Sequence, residues 1–219
     1  MEFNILPVLS PEEVERFVTD LSRATFVDGK ATAVGAAREV KHNLQAERSA
    51  ANSAALDETI FSALQRNKGF QSFAFPKRIL PPSYARYEPG MQYGTHIDGA
   101  VMAGIRTDLA MTLFLSSPET YDGGELVIEF ASGEQEIKLA AGEAVVYPAT
   151  TLHRVAPVTR GTRLVAVTWI QCAVREERVR SVLYDLSRAV SHAEAAKDAE
   201  QTLLLSKCFH NLLRCVVEP

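Results

Sequence analysis

Apolar positions along this chain repeat at a helical period near both ends and at a strand period in between. Val14, Phe17, Val18 and Leu21 fall at i, i+3, i+4 and i+7 and predict one buried helical stripe. Ser10-Pro11-Glu12-Glu13 marks its start: a capping serine, a proline at the first helical position and a glutamate able to close a capping box. Residues 26–45 carry Asp28-Gly29 and Gly35 without a clear period and read as a turn-rich connection with a short strand. A second helix is predicted over residues 46–66, with Leu56, Ile60, Phe61 and Leu64 on its apolar face.

The period changes near Phe73. Residues 109–115, 125–130, 135–139, 143–147 and 163–170 predict strands punctuated by glycine and proline. In residues 125–130, Leu126, Ile128 and Phe130 alternate with Glu125 and Glu129, and residues 131–134 supply a hairpin turn. Such strands predict two packed sheets; a jelly roll is one standard solution, and periodicity alone does not separate it from other sandwiches. After Gln171 the helical period returns. Val179, Val182, Leu183 and Leu186 mark one helix, and Leu205, Cys208, Phe209 and Leu212 mark another over residues 198–214. Their apolar stripe is expected to pack on the barrel or across a homodimer interface. The chain is thus expected to divide into a helical support (1–72), a β core (73–173) and a helical extension (174–219).

Composition narrows the partners. A content of 47% hydrophobic and 23% charged residues is that of a soluble globular protein with ample core. A net charge of −4 gives no reason to expect nucleic acid or an anionic membrane as a partner. No apolar run approaches a membrane span, and the first residues lack the basic start of a signal peptide, so the expected location is the cytoplasm. The three cysteines show no C-x-x-C spacing; Cys208 and Cys215 share a helix face and are expected to pack as small apolar residues.

The candidate chemistry lies between Tyr87 and Asp98. In an extended strand His96 and Asp98 would point to one face and converge. His153 is the natural third ligand. Two histidines and one carboxylate with other positions open are the ligand set of a non-haem Fe(II) oxygenase. Arg163, ten residues further on, opens an apolar run, where a charge is costly unless paired, and its planar fork suits a carboxylate. A zinc hydrolase would explain the three ligands but not Arg163.

His96-x-Asp98, the distant His153 and Arg163 make the chain similar to the Fe(II)/2-oxoglutarate-dependent dioxygenases of the prolyl 4-hydroxylase-like branch. The closest resemblance is to the bacterial PKHD-type hydroxylases, carried also by Phe26 to Gly29, Val40-Lys-His-Asn43, Asp122-Gly-Gly-Glu125, His153-Arg-Val and residues 205–214. It implies a cupin-like double-stranded β-helix, mainly β with flanking helices, N-terminal helices and a helical C-terminal appendage. It implies Fe(II) on His96, Asp98 and His153, 2-oxoglutarate held by Arg163 and Tyr87, O2 as co-reactant and L-ascorbate as reductant. A small-molecule or peptidyl substrate would be hydroxylated with release of succinate and CO2, and the PKHD likeness points to a siderophore-related molecule. A catalytically silent jelly roll that senses iron or 2-oxoglutarate is the alternative. Phe26 stands where the family pattern has tryptophan, a change expected to touch only the outer pocket.

Other positions keep two readings each. Tyr87 and Trp169 either line the pocket or fill the core, and Lys41 and Asn43 either reach a substrate or lie on the solvated surface. Residues 99–108 form a lid or an ordinary loop. Arg154 is expected at a surface ion pair, and His42, His192 and His210 outside the site.

Overall fold

The structure, a computed structural model, describes residues 3–32, 35–48 and 50–218. The chain opens with strand β1 (Asn4–Pro7) and helix α1 (Pro11–Ser22). Ser10 accepts from the Glu13 N–H and Glu13 accepts from the Ser10 N–H, closing the expected capping box. Val14, Phe17 and Leu21 are buried, but Val18 is 41% exposed, so the buried stripe is narrower than predicted.

The next stretch holds more regular structure than its sequence signals. β2 (Phe26–Asp28), a 3-10 turn (Gly29–Thr32), α2 (Ala36–Glu39), β3 (Lys41–His42) and β4 (Leu44–Ala46) follow one another. The predicted second helix is α3 (Ala50–Arg66); β4 occupies the residues where it was expected to begin, and residue 49 lies outside the described residues. Leu56, Ile60 and Leu64 are buried beneath it. A further helix, α4 (Lys68–Ala74), is capped by Asn67, whose side chain accepts from the Phe70 N–H.

From Pro76 the chain is β. The strands are β5 (Pro76–Ile79), β6 (Ser83–Tyr87), β7 (Gln92–His96), β8 (Val101–Met102), β9 (Ile105–Arg106), β10 (Leu109–Phe114) and β11 (Asp122–Gly123). They continue as β12 (Leu126–Phe130), β13 (Gly133–Ile137), β14 (Glu143–Pro148), β15 (His153–Val155), β16 (Val158–Arg160) and β17 (Arg163–Cys172). An eight-stranded antiparallel sheet runs β1-β14-β10-β17-β6-β4-β2, with β5 also on β17. A five-stranded sheet runs β13-β12-β15-β7-β3. Residues before 73 therefore contribute strands to both sheets as well as helices.

The larger sheet is covered on both faces, which is why β10 is an unbroken run of buried residues. Met111, Leu113, Ala144 and Val146 face the helices and meet Phe17, Ile60, Leu64 and Phe70. The alternate residues Ala110, Phe114, Val145 and Val165 face the smaller sheet and meet Leu126, Ile128 and Ile137. Each large apolar side chain so buried contributes about 1.5–3 kcal/mol. Two antiparallel sheets closed over one core, with helices outside, form the jelly roll that the resemblance implied.

Two helices end the chain, α5 (Glu177–Ala195) and α6 (Ala199–Val216). α5 buries Leu183, and Tyr184 meets Phe73 edge-on at 5.6 Å. Arg180, itself buried, donates to the carbonyls of Val174 and Arg175. α6 buries none of its residues fully, and Leu203 and Leu204 are 74% and 53% exposed. Of its predicted stripe, Leu205, Phe209 and Leu212 are half-buried, with Phe209 stacked on Phe75 at 6.3 Å, and Cys208 is exposed. Cys208 and Cys215 are exposed, contrary to the packing expected of them, whereas Cys172 is buried. Among the described residues no helix is long and apolar enough to cross a membrane.

Candidate metal centre

β7 and β15 are neighbours in the smaller sheet, and the ladder sets His96 opposite His153. Their rings lie 4.3 Å apart between centroids. β7 ends at His96, so Asp98 stands in the following loop rather than two places along a strand. Its carboxylate reaches the same point: Oδ1 is 3.9 Å from His153 Nε2. The three side chains offer ligand atoms within 4.8 Å of one another.

Each imidazole is oriented through Nδ1. His96 Nδ1 donates to the Gly94 carbonyl at 2.8 Å and His153 Nδ1 to the Thr151 carbonyl at 3.1 Å. A carbonyl only accepts, so the proton sits on Nδ1 and each Nε2 keeps a lone pair for a metal. Burial, and then the neighbouring His153, lowers the His96 pKa to about 4 and keeps that ring neutral at pH 7. Asp98 Oδ2 is buried without a hydrogen-bond partner, a cost that a cation removes. Two imidazoles held through Nδ1 and an orphaned carboxylate oxygen fit Fe(II).

Two local features hold this arrangement. Gly94 sits so close to Val40 that a Cβ there would lie 2.8 Å from the valine Cβ. β7 also carries one residue more than β15: His153 pairs with His96, but Val155 pairs with Tyr93. This bulge turns Tyr93 to the face of His96, where the rings stack at 3.6 Å and 14°. On the other side Tyr147 meets His153 edge-on at 5.4 Å. Burial, and then Asp98, raises the pKa of Tyr93 and of Tyr147, so both stay phenols.

The three residues open into a cavity of about 420 Å³ between the sheets, which Arg163 and Tyr87 also line. Arg163 is 1% exposed and has no carboxylate within ion-pair distance among the described residues. Its guanidinium stands 5.0 Å from the Tyr87 ring and 5.3 Å from that of Phe114, and Nε is unpartnered. The ladder pairs Arg163 with Tyr87. Burial lowers the Arg163 pKa, but guanidinium is too basic to lose its proton. The room for it comes from Gly124, at φ +69, where a Cβ would lie 2.9 Å from Arg163 Cδ. The result is a fixed cation inside the protein that still needs an anion.

The other singled-out residues divide clearly. Trp169 is half-buried on the cavity wall with Nε1 unpartnered. Lys41 and Asn43 are buried and line the cavity. Residues 99–108 contain the hairpin β8–β9, whose Val101 and Met102 form part of the cavity rim. Arg154 points away and binds Glu134 through two bonds of 2.6 and 2.8 Å. His42, His192 and His210 are exposed and do not belong to the cluster. Phe26 does not line the cavity; it lies under the Arg86 guanidinium at 4.1 Å. Sequence reasoning missed Tyr93, Tyr147, Thr32 and Gln45, all on the cavity wall. Tyr93 is hidden by its odd spacing from His96, which in a regular strand would place it on the opposite face.

Comparison with known proteins agrees with this geometry. The pattern of the 2OG-Fe(II) oxygenase superfamily matches residues 82–171, a span that holds all three clustered side chains and Arg163. A PKHD-type hydroxylase of Picosynechococcus sp. is 48% identical over 216 residues, 98% of each chain. One from Burkholderia ambifaria is 45% identical over 222 residues, again 98% of each. Among solved structures, a Trichoplax adhaerens prolyl hydroxylase in complex with a hypoxia inducible factor peptide superposes with a TM-score of 0.59 at 17% identity. That match covers 83% of this chain and 86% of the other, and it bears on the fold alone. Likeness at this level along almost the entire sequence means that the chain belongs to the PKHD-type hydroxylases of the 2OG-Fe(II) oxygenase superfamily and is an enzyme.

Proposed function

We propose that this enzyme uses Fe(II) and 2-oxoglutarate to hydroxylate a small-molecule or peptidyl substrate, with release of succinate and CO2. The observation that carries the reading is that a three-donor cluster and a buried, unpaired guanidinium share one cavity. His96, Asp98 and His153 hold the metal. Arg163, braced by Tyr87, takes the distal carboxylate of 2-oxoglutarate. Bound there, Fe(II) and 2-oxoglutarate supply the oxidising chemistry that places oxygen from O2 on a substrate carbon.

The chain's own part is positional. The Nδ1 bonds to Gly94 and Thr151 aim both imidazoles, and the phenols of Tyr93 and Tyr147 pack around them. Arg163 fixes the cosubstrate at the buried end, leaving the rim with Met102, Val101 and Trp169 for the substrate. A siderophore-related molecule and a peptidyl segment are the two substrate classes that this proposal covers. L-ascorbate is assigned as the reductant that restores the ferrous state. Three free cysteines suit a cytoplasmic location. The bare Leu203 and Leu204 on α6 suit a homodimer.

The test is anaerobic. Fe(II) followed by 2-oxoglutarate should give a charge-transfer band in the parent, and admission of O2 should release CO2. In His96→Ala, Asp98→Ala and His153→Ala iron binding should fall sharply and turnover should be lost, with circular dichroism unchanged. A variant that keeps its iron and near-normal turnover would remove that residue from the ligand set.

A further inference from the structure

Lys41 lies on β3, the edge strand of the smaller sheet, directly opposite Tyr93. It is only 6% exposed, and its Nζ sits 5.2 Å from the centre of the Tyr93 ring. Nζ donates to Thr32 Oγ1 at 2.9 Å, and that hydroxyl lies 2.6 Å from Gln45 Oε1. Gln45 belongs to β4, in the larger sheet, so the three side chains bridge the two sheets at one side of the cavity. An ammonium has three donors, of which one is used here. Among the described residues no carboxylate lies within ion-pair distance of Nζ; Asp98 and Asp28 act on it only from further away. Burial lowers its pKa to about 8, which still leaves it mostly protonated at pH 7. The cavity therefore holds a second underused cation, on a different sheet from Arg163. Ile97, Val101, Met102 and Trp169 give it apolar walls.

We propose that Lys41, supported by Thr32 and Gln45, is a specificity-determining anchor for a carboxylate on the primary substrate, whose apolar body lies against Met102 and Trp169. This rests on the assignment of Arg163 to 2-oxoglutarate. The substrate class is accordingly a carboxylic acid with an apolar body, and the neutral amide or alcohol of the same shape is a poor ligand.

Trp169 is the only tryptophan in the chain and stands on the cavity wall, so its emission reports occupancy. The probes are hexanoate and hexanamide, titrated anaerobically into the Fe(II) and 2-oxoglutarate holoenzyme. Hexanoate should bind at least tenfold more tightly than hexanamide. Lys41→Met should abolish that preference while the 2-oxoglutarate charge-transfer titration stays unchanged, and Thr32→Val with Gln45→Leu should reduce it. Equal affinity for the two probes in the parent, or no hexanoate binding, overturns the proposal. So does a Lys41→Met protein that keeps the preference, or one that loses 2-oxoglutarate affinity instead, which would make Lys41 a cosubstrate residue. Should Lys41→Met not fold, the Thr32→Val, Gln45→Leu variant decides, and an unchanged preference there overturns the proposal. A parent with no charge-transfer band at all would fail the earlier assignment, a result distinct from an intact band with no carboxylate preference.

Discussion

Arg163 is the residue on which the proposed cosubstrate site most depends. A buried guanidinium without a carboxylate is unfavourable, and the ring faces of Tyr87 and Phe114 replace only part of its hydration. Hydrogen bonds to a charged group contribute about 1.5–3 kcal/mol each. Arg163→Ala should therefore raise the 2-oxoglutarate requirement at least tenfold in the anaerobic charge-transfer titration, with Fe(II) affinity little changed. Arg163→Lys should be intermediate, since it keeps the charge and loses the fork. Unchanged 2-oxoglutarate binding in Arg163→Ala would mean that another cation holds that carboxylate. Gly124→Ala should act in the same direction at a distance, because the new Cβ would press on Arg163 Cδ from a left-handed backbone position. A cost of about 1 kcal/mol or more in urea stability should accompany it. The cluster and Arg163 could be singled out in the sequence because charge, ligand type and spacing are local properties. Lys41 was visible as a candidate but not as a buried one, since burial depends on β3 finding the edge of a sheet far along the chain.

Among the elements, β7 does the most to shape the centre. Its extra residue relative to β15 brings Tyr93 under His96, and that ring holds the imidazole from below. Groups that orient a metal ligand without touching the metal typically account for ten- to a hundredfold in affinity. Tyr93→Ala should weaken Fe(II) binding by about tenfold in anaerobic titration, and Tyr93→Phe, which keeps the stack, should stay near the parent. Equal losses in both would shift the role from the ring to the hydroxyl. Bulges are set by pairing between strands, so no periodicity in residues 92–96 reveals this one. For the same reason β2, β3 and β4, each three residues or fewer and held by partners elsewhere, were legible only as one short strand in a turn-rich stretch. The capping box of α1 and the strand β10 were legible, because their signals lie within the element. The rim hairpin is tied down at its base: Arg106 binds Asp108 and Glu218, and Asp108 accepts from the Cys172 N–H.

For the molecule as a whole, the two C-terminal helices are unequal. α5 covers Phe73 and buries Leu183, so truncation after Gln171 should give aggregated or strongly destabilised protein. A soluble truncate with the parent's melting temperature would show that the barrel stands alone. If α6 joins two copies, Leu203→Glu with Leu204→Glu should lower the mass found by sedimentation to that of one chain and leave the melting temperature of the barrel little changed. A parent already sedimenting as one chain would remove the dimer. The sequence revealed both helices but not how little of α6 is covered, because coverage depends on which neighbours reach it, here α5 and Phe75. The order of strands in the larger sheet has one more consequence, for synthesis. β17 is the last strand made, yet it lies between β10 and β6, with the rest of the sheet divided on either side of it. Until residue 172 has left the ribosome, the nascent chain carries two half-sheets with open edges and no strand to join them. Insertion of β17 closes that gap and delivers Arg163 to the cavity in one event, so the fold and the proposed cosubstrate anchor are completed together. A chain halted before Arg163 has neither, and its unpaired edges leave it open to aggregation.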